Sequence, residues 1–510
     1  MGAEEVYWDR ILACVLAVLV FAGGMMFREN SHFWGDDYAA YMLEGKAIAE
    51  GRIDQQTKDN LMFRTTMISG KDTQSLTRLV YVWGFPLQTA LMYKLAGFDA
   101  LTTDMRLYKT PGCLALGILS AILFLFYRRR FNRNVSMLLS SFMVVSIFTF
   151  INYIGTDLPF LCMTYCSFLL YEMLWDRTTP KGMAIHACML GVALWYTHLL
   201  RLNGITVILL IAAMHFVKMI SCPEYRGRIP YHCLAYVVYA GLLGAFYLCF
   251  PYPTSNSGDI NMGSLTEGLS FSHLMISNWI YDMFPFGSHE LQRIITLGIR
   301  VACLIGILWK GRKEELGYLL FLVATLLGVA SLPYNQGLRY YFGFLPLIVM
   351  FTGYGFCWLW GAISKYLKQE QVSRRGTALA TAAVVLFSTL ELGTAGLQLW
   401  KEKQQLAADR QNAALNAYAD TCLELYRFIR EETEEDALIA SPKPRALQLN
   451  TGRLGFHLDE RVYALTEADY YLEMTFREAE MLTAEEKHML QLIFDNEDFR
   501  LYRVEKQNPS

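Results

Sequence analysis

Charge is what this sequence has least of. Only 18% of its 510 residues are Asp, Glu, Lys or Arg, against about a quarter in soluble proteins. With 54% apolar and 14% aromatic residues, the chain is too greasy for a water-soluble protein of its length. A formal net charge of −2 gives no basic field for nucleic acid. The phosphate-cradling pattern G-x-x-x-x-G-K-[ST] is absent. Paired cysteines are missing too. Almost all eleven lie inside apolar runs, and Cys422 is alone in the one long polar region, so no disulfide framework exists there. Cys162 and Cys166 share a helix face, where small buried thiols are the ordinary reading. The leader "MGAEEVYWDR" carries more acid than base, unlike a cleaved signal, so the first apolar stretch reads as a retained helix.

What the chain has instead is apolar blocks of about 20 residues, the length that crosses a bilayer. Eleven candidate spans lie near 9–27, 106–127, 135–152, 158–175, 183–199, 204–221, 231–250, 293–309, 316–332, 340–361 and 376–396. Alternate short loops are basic: "RRRFNR", "DRTTPKG", "CPEYRGR", "KGRKEE" and "KYLKQEQVSRRG". The intervening loops "YIGTD", "LRLNG" and "PYNQGLR" hold few cations. The positive-inside rule then puts the N-terminus in the cytoplasm and the C-terminus outside. No loop on the cytoplasmic side is large enough to hold a nucleotide-binding domain.

Three long polar segments fall on the outer side: 28–105, 251–292 and the tail from about 400. Asp36–Gly51 reads as a helix that Asp36 can cap and Gly51 can end, lying on the membrane surface. "LVYVWGFPLQTALMYKLAGF" (79–98) reads as a second interfacial or partly re-entrant helix. The tail carries 22 acids and 14 bases. Its "NAALNAYADTCLELYRFIREET" is amphipathic, and "DALIAS", "RVYAL", "ADYYLEM" and "FRLYRV" are strand-like. The expectation is a membrane domain over 1–399 and a small extracytoplasmic α/β domain over 400–510.

Two adjacent acids, Asp36 and Asp37, stand where the chain leaves its first span. A helix cap is the bland reading of such a pair. Asp157 stands at the same depth before another span, and half-buried carboxylates at membrane depth are usually functional. Arg78, Arg201 and Arg339 supply cations at comparable depth, though an Arg at a span end also snorkels to headgroups. Carboxylates beside cations suit a lipid-linked phosphate held by arginines while a hydroxyl acceptor loses its proton. The same acids could hold a divalent cation at Asp36 and Asp157. "NWIYDMFPFGSHE" (278–290) could cover such a site, and His273 and His289 are not spaced as a metal pair.

"GDDYAAYMLEGKAIAEG", "GFPLQTALMYKLAGF", "TDLPFLCMTYCSFLLYE" and "LRYYFGFLPLI", in that order, resemble the GT-C class of integral-membrane glycosyltransferases. The likeness is to bacterial members of the protein O-mannosyltransferase and lipid A aminoarabinose transferase superfamily. It implies a sugar donor on polyprenyl phosphate, with transfer on the outer face and inversion at the anomeric carbon. The acceptor would be a glycan, lipid or protein of the cell envelope. It places the catalytic acid pair on Asp36 and Asp37, the second-loop acid on Asp157, and a phosphate partner on Arg339. Many relatives carry a Pro, often beside a Lys or a second Pro, shortly before the "GFP" stretch; this chain has Tyr81, Val82 and Trp83 there, with Arg78 the nearest cation. The rival reading is a lipid or polar-solute transporter, which the lack of an internal repeat and of mid-span charge disfavours.

Overall fold

The computed structural model describes residues 3–67, 82–250, 265–282, 288–311, 315–331, 337–366, 401, 411–456, 465, 467–477, 482–488 and 490–505. Among the described residues, fourteen α-helices run through the first part. They are α1 (Ala3–Phe27), α2 (Asp36–Glu50), α3 (Ile53–Met67), α4 (Gly84–Ala96), α5 (Thr110–Arg128), α6 (Arg133–Ser146) and α7 (Asp157–Asp176). After them come α8 (Pro180–Leu200), α9 (Gly204–Ser221), α10 (Ile229–Cys249), α11 (Leu265–Asp282), α12 (His289–Gly306), α13 (Leu316–Ala330) and α14 (Leu345–Tyr366).

Among the described residues, eight helical stretches are long and apolar enough to cross a membrane. Two expected spans differ from the eleven read in the sequence. The stretch 135–152 breaks after Ser146 and continues as a 3-10 helix, Phe148–Asn152. Its run of β-branched and aromatic residues is weakly helical. Its end is also pinned, because Asn152 accepts from the Glu29 amide (2.9 Å) and donates to the Phe27 carbonyl (3.3 Å). Helix α13 has 15 residues, about 22 Å. The expected span 376–396 lies outside the described residues.

The long helices pack around one apolar core that includes Leu116, Leu119, Phe126, Tyr165, Phe168 and Phe351. At one end of the bundle, Arg130 bridges the carboxylates of Glu172 and Glu315 while its guanidinium lies 4.1 Å from the Phe126 ring centroid. The other end carries the remaining structure.

There, α2 does not lie bare on a surface. Tyr38, Ala39, Met42 and Glu44 are all nearly fully buried, because α4 packs on one side and the C-terminal unit on another. Gly51 ends the helix at φ 70, its amide reaching back to the carbonyls of Ala47 and Ile48. The cap at the start is not Asp36. Gly35 holds that position without a side-chain bond, and Asp36 is the first helical residue. Helix α4 has 13 residues, about 20 Å, too short to cross.

Among the described residues, the C-terminal unit holds a five-stranded mixed sheet in the order β2-β1-β3-β5-β4. The strands are β1 (Leu438–Ala440), β2 (Leu454–Phe456), β3 (Tyr470–Met474), β4 (Leu490–Asp495) and β5 (Phe499–Val504). β1 runs parallel to β2 and β3, while β5 is antiparallel to β3 and β4. The amphipathic stretch forms α15 over Asp420–Glu432, later than its pattern suggests, since 412–419 is spent in turns. Helix α16 (Pro444–Thr451) follows β1 and packs on α2. "RVYAL" lies mostly outside the described residues.

This unit is fastened to the segment between α1 and α2. Trp34 Nε1 donates to the Ala413 carbonyl (2.5 Å), and the Ala417 amide donates to the His32 carbonyl (2.8 Å). Arg430 pairs with Asp99 at 2.8 Å and Gln448 with Asp59 at 3.0 Å. One apolar cluster runs unbroken from Trp34, Tyr38 and Met42 to Tyr426, Tyr470 and Phe499. From below, Lys109 Nζ clamps the same segment by donating to the carbonyls of Glu29 (2.8 Å) and Ser31 (2.7 Å).

Candidate functional site

Two helix starts meet at the sheet-bearing end. Asp37 is the second residue of α2 and Asp157 the first of α7. Both carboxylates therefore sit where the helix dipole favours negative charge. Each faces an arginine. Arg201, just past the end of α8, brings Nη2 to 2.7 Å from Asp157 Oδ1, and its Nε donates to Thr156 Oγ1 at 2.9 Å. Arg339, in the 3-10 turn Leu338–Tyr341, brings Nη2 to 3.2 Å from Asp37 Oδ2.

The two pairs form one constellation. Tyr340 lies between them, its ring centroid 5.5 Å from the Arg201 guanidinium carbon and 5.3 Å from that of Arg339. Tyr153 joins Asp37 to Arg339: its hydroxyl accepts from Arg339 Nη1 and donates to Asp37 Oδ2 at 3.5 Å. Burial, and then the Asp37 carboxylate, raise the Tyr153 pKa, which keeps that proton in place. Tyr41 of α2 meets Thr156, and burial likewise keeps its phenol protonated despite the neighbouring Arg201.

The pairs differ in access to water. The Asp157 side chain is 3% exposed and Arg201 21%, whereas Asp37 is 37% exposed and Arg339 23%. Burial alone would loosen the Arg339 proton, but Tyr153, Asp157 and Asp37 outweigh it and raise the pKa. Arg201 is raised in the same way, chiefly by Asp157 against burial. The open pair can exchange partners with an incoming anion, and the closed pair is a fixed strut.

Of the six residues singled out from the sequence, the fold thus brings four together: Asp37, Asp157, Arg201 and Arg339. Arg78 lies outside the described residues. So does the Asp36 side chain, although its backbone opens α2. Sequence reasoning passed over Tyr153, Tyr340, Tyr41 and Thr156. The first and last of these sit inside the quoted loop "YIGTD", four positions and one position before an acid already suspected.

His32 is buried beside this group. The Ile154 amide donates to its Nε2 (3.2 Å), so its Nδ1 donates to the Phe33 carbonyl (2.9 Å). Burial, with Lys109 adding to it, lowers its pKa to about 3. Asp36 and Asp157 are the residues that would hold a divalent cation, and the Asp36 side chain lies outside the described residues. The Asp157 carboxylate is already engaged by a guanidinium, and among the described residues no three of His, Cys, Asp and Glu cluster as ligands.

No family model matches the sequence, and no curated protein does. Solved structures match the fold over nearly the whole chain. A crystal structure of ArnT from Cupriavidus metallidurans bound to undecaprenyl phosphate aligns over 98% of both chains, with TM-score 0.55 and 11% identity. The Archaeoglobus fulgidus oligosaccharyltransferase in its apo form aligns over 94% of this chain and 71% of its own, with TM-score 0.54 and 11% identity. The same oligosaccharyltransferase in complex with Zn and sulfate gives TM-score 0.53 at 9% identity. At such identity the likeness speaks for architecture, and the architecture is clear: this chain has the fold of the GT-C membrane glycosyltransferases.

Proposed function

We propose that the protein transfers a sugar from a polyprenyl-phosphate carrier to an acceptor hydroxyl at the outer face of the membrane. The observation that carries this reading is the meeting of two carboxylate–arginine pairs at the starts of α2 and α7, at the end of a bundle with the GT-C fold. One solved neighbour holds undecaprenyl phosphate, which supports a lipid-linked donor here.

The half-exposed pair does the exchanging. At rest, Arg339 is held by Asp37 and Tyr153. A donor phosphate takes Arg339 over, since a guanidinium binds a phosphate at least as well as a carboxylate. Asp36, the leading acid of the family-like pair, accepts the acceptor's hydroxyl proton. The acceptor oxygen bonds to the anomeric carbon from the face opposite the phosphate, which inverts it. The bond from that carbon to the phosphate oxygen breaks, and the lipid phosphate leaves with the electron pair. Arg339 stabilises that charge, a contribution on the order of 10²–10³ in rate for one well-placed donor. Asp157 and Arg201 hold the α7 start in register with Tyr340. Asp37 and Asp157 each have a guanidinium partner, and no step is routed through a metal.

Asp36→Asn should abolish transfer while leaving expression and polyprenyl-phosphate binding intact, a loss on the order of 10²–10⁴ for a general base. Full turnover in that variant, with donor and acceptor extracted from the native envelope, removes the assignment.

A further inference from the structure

One sequence pattern occurs twice at this site. Phe33-Trp34-Gly35-Asp36-Asp37 and Tyr153-Ile154-Gly155-Thr156-Asp157 both read aromatic, apolar, glycine, polar, aspartate. Each run ends in the first turn of a helix, and each aspartate holds an arginine. In each, the middle apolar residue is buried, Trp34 at 7% and Ile154 at 1% exposure. In each, the glycine makes room for the aromatic ring two residues earlier. A Cβ on Gly35 would stand 2.8 Å from the Phe33 ring, and one on Gly155 would stand 2.3 Å from the Tyr153 ring. Both rings therefore fold back over their own turn, toward the helix start that carries the acid.

The two rings meet. Phe33 stacks on Tyr153 with centroids 5.3 Å apart and planes 19° from parallel, and it also covers His32 at 4.7 Å and 23°. Tyr153 is tied to Asp37 and Arg339 by its hydroxyl. Phe33, at the top of the stack, remains 45% exposed. A large apolar ring left open, backed by two others and set at the edge of a charged pair, offers a flat face to a ligand held by that pair. Its neighbours are polar: a histidine, a tyrosine and the acid-bearing start of α2.

We propose that the Phe33 ring is the platform on which the pyranose ring of the donor lies, next to the phosphate held by Arg339. This deepens, and rests on, the transferase reading above. An aromatic face is electron-rich and attracts the slightly positive C–H bonds of a sugar. The ligand class follows: a pyranose with hydrogens, not hydroxyls, on carbons 3 and 5 of the covered face, with carbon 1 beyond the edge of the ring where the acceptor reaches it. A β-gluco-configured ring satisfies this. A β-allo-configured ring does not, because its axial oxygen on carbon 3 would strike the platform. Tyr153 is a positioning residue in this scheme, since it aligns Phe33 with Arg339.

The test is saturation-transfer NMR on the full-length protein in detergent, with methyl β-glucopyranoside and methyl β-allopyranoside as probes. The expected result is saturation concentrated on the hydrogens of carbons 3 and 5 of the gluco probe, and little on the allo probe. Phe33→Trp should keep it. Phe33→Leu should weaken gluco binding roughly three- to tenfold, the size of one aromatic contact, and should leave undecaprenyl-phosphate binding unchanged. Equal saturation of the two epimers, or no difference between Phe33→Leu and the parent, overturns the platform and assigns Phe33 to the lipid interface. Arg339→Ala separates the two ideas. If gluco saturation tracks Phe33 while undecaprenyl phosphate binds neither the parent nor any variant, the platform stands and the carrier reading fails. If the lipid phosphate binds through Arg339 but no sugar responds to Phe33, the reverse holds.

Discussion

Removing either half of the Asp157–Arg201 pair should destabilise the protein, and by unequal amounts that the structure sets in advance. In Arg201→Met, the Asp157 carboxylate is left 3% exposed without its contacting guanidinium, and Arg339 acts on it only at longer range. Breaking a buried pair in this way costs about 3–5 kcal/mol. In Asp157→Asn, the stranded group is the guanidinium, which is 21% exposed and keeps Thr156 Oγ1 at 2.9 Å. It also keeps the Tyr340 ring at 5.5 Å. Water and those partners reduce the loss to about 1–2 kcal/mol. The double variant leaves no orphan charge, so its loss should fall short of the sum by about 0.5–3 kcal/mol. Equilibrium unfolding in mixed micelles measures this, with a thiol dye reporting exposure of buried Cys113 and Cys162. The reasoning fails if Asp157→Asn is as damaging as Arg201→Met, or if the two losses simply add to within about 0.5 kcal/mol.

Three further outcomes are expected. Arg339→Lys keeps the charge but cannot span Asp37 and Tyr153 together, so donor KM should rise about tenfold; Tyr153→Phe should cost only a few-fold, and steady-state kinetics with varied donor distinguishes them. His32 has a pKa of about 3 in the folded state and 6.5 unfolded, so the unfolded chain binds more protons between those values. Its stabilising contribution is therefore complete above about pH 6.5 and falls by up to about 1.4 kcal/mol per unit as pH drops toward 3; thermal midpoints at pH 7 and pH 5 should differ more in the parent than in His32→Gln. Truncation after residue 399 bares Trp34, Tyr38 and Met42, which face the C-terminal unit. The truncated chain should aggregate in size-exclusion runs where the whole chain is monodisperse.

The elements that hydropathy and caps define were legible from the sequence. The limits of α2, strands β3 and β5, and most long apolar helices follow from apolar runs ended by Gly, Pro or charge. The break after Ser146 was not, because hydropathy is indifferent to whether an apolar run stays α-helical, and the cause is a tertiary pin at Asn152. Strand β4, "LQLIFD", was missed because only its pairing with β5 distinguishes it from another short apolar run. At the site, acids and arginines stood out as rare charges in an apolar chain. Tyr153 and Tyr340 did not, among 30 tyrosines that mostly read as interfacial. What marks them is the proximity of residues some 190 positions apart, which no local pattern carries.

Phe33 and Trp34 are joined by one peptide bond and look in opposite directions. Trp34 is sunk in the C-terminal unit, against Tyr426 and Phe499. Phe33 rests on Tyr153 at the carboxylate–arginine pairs. A swing of the sheet by even a few ångströms would have to drag Phe33 off its stack or pull Trp34 from its seat. The place of Phe33 over Tyr153 is thus tied to the seat of the sheet by a single peptide bond, so a displacement of either is opposed by the packing of the other.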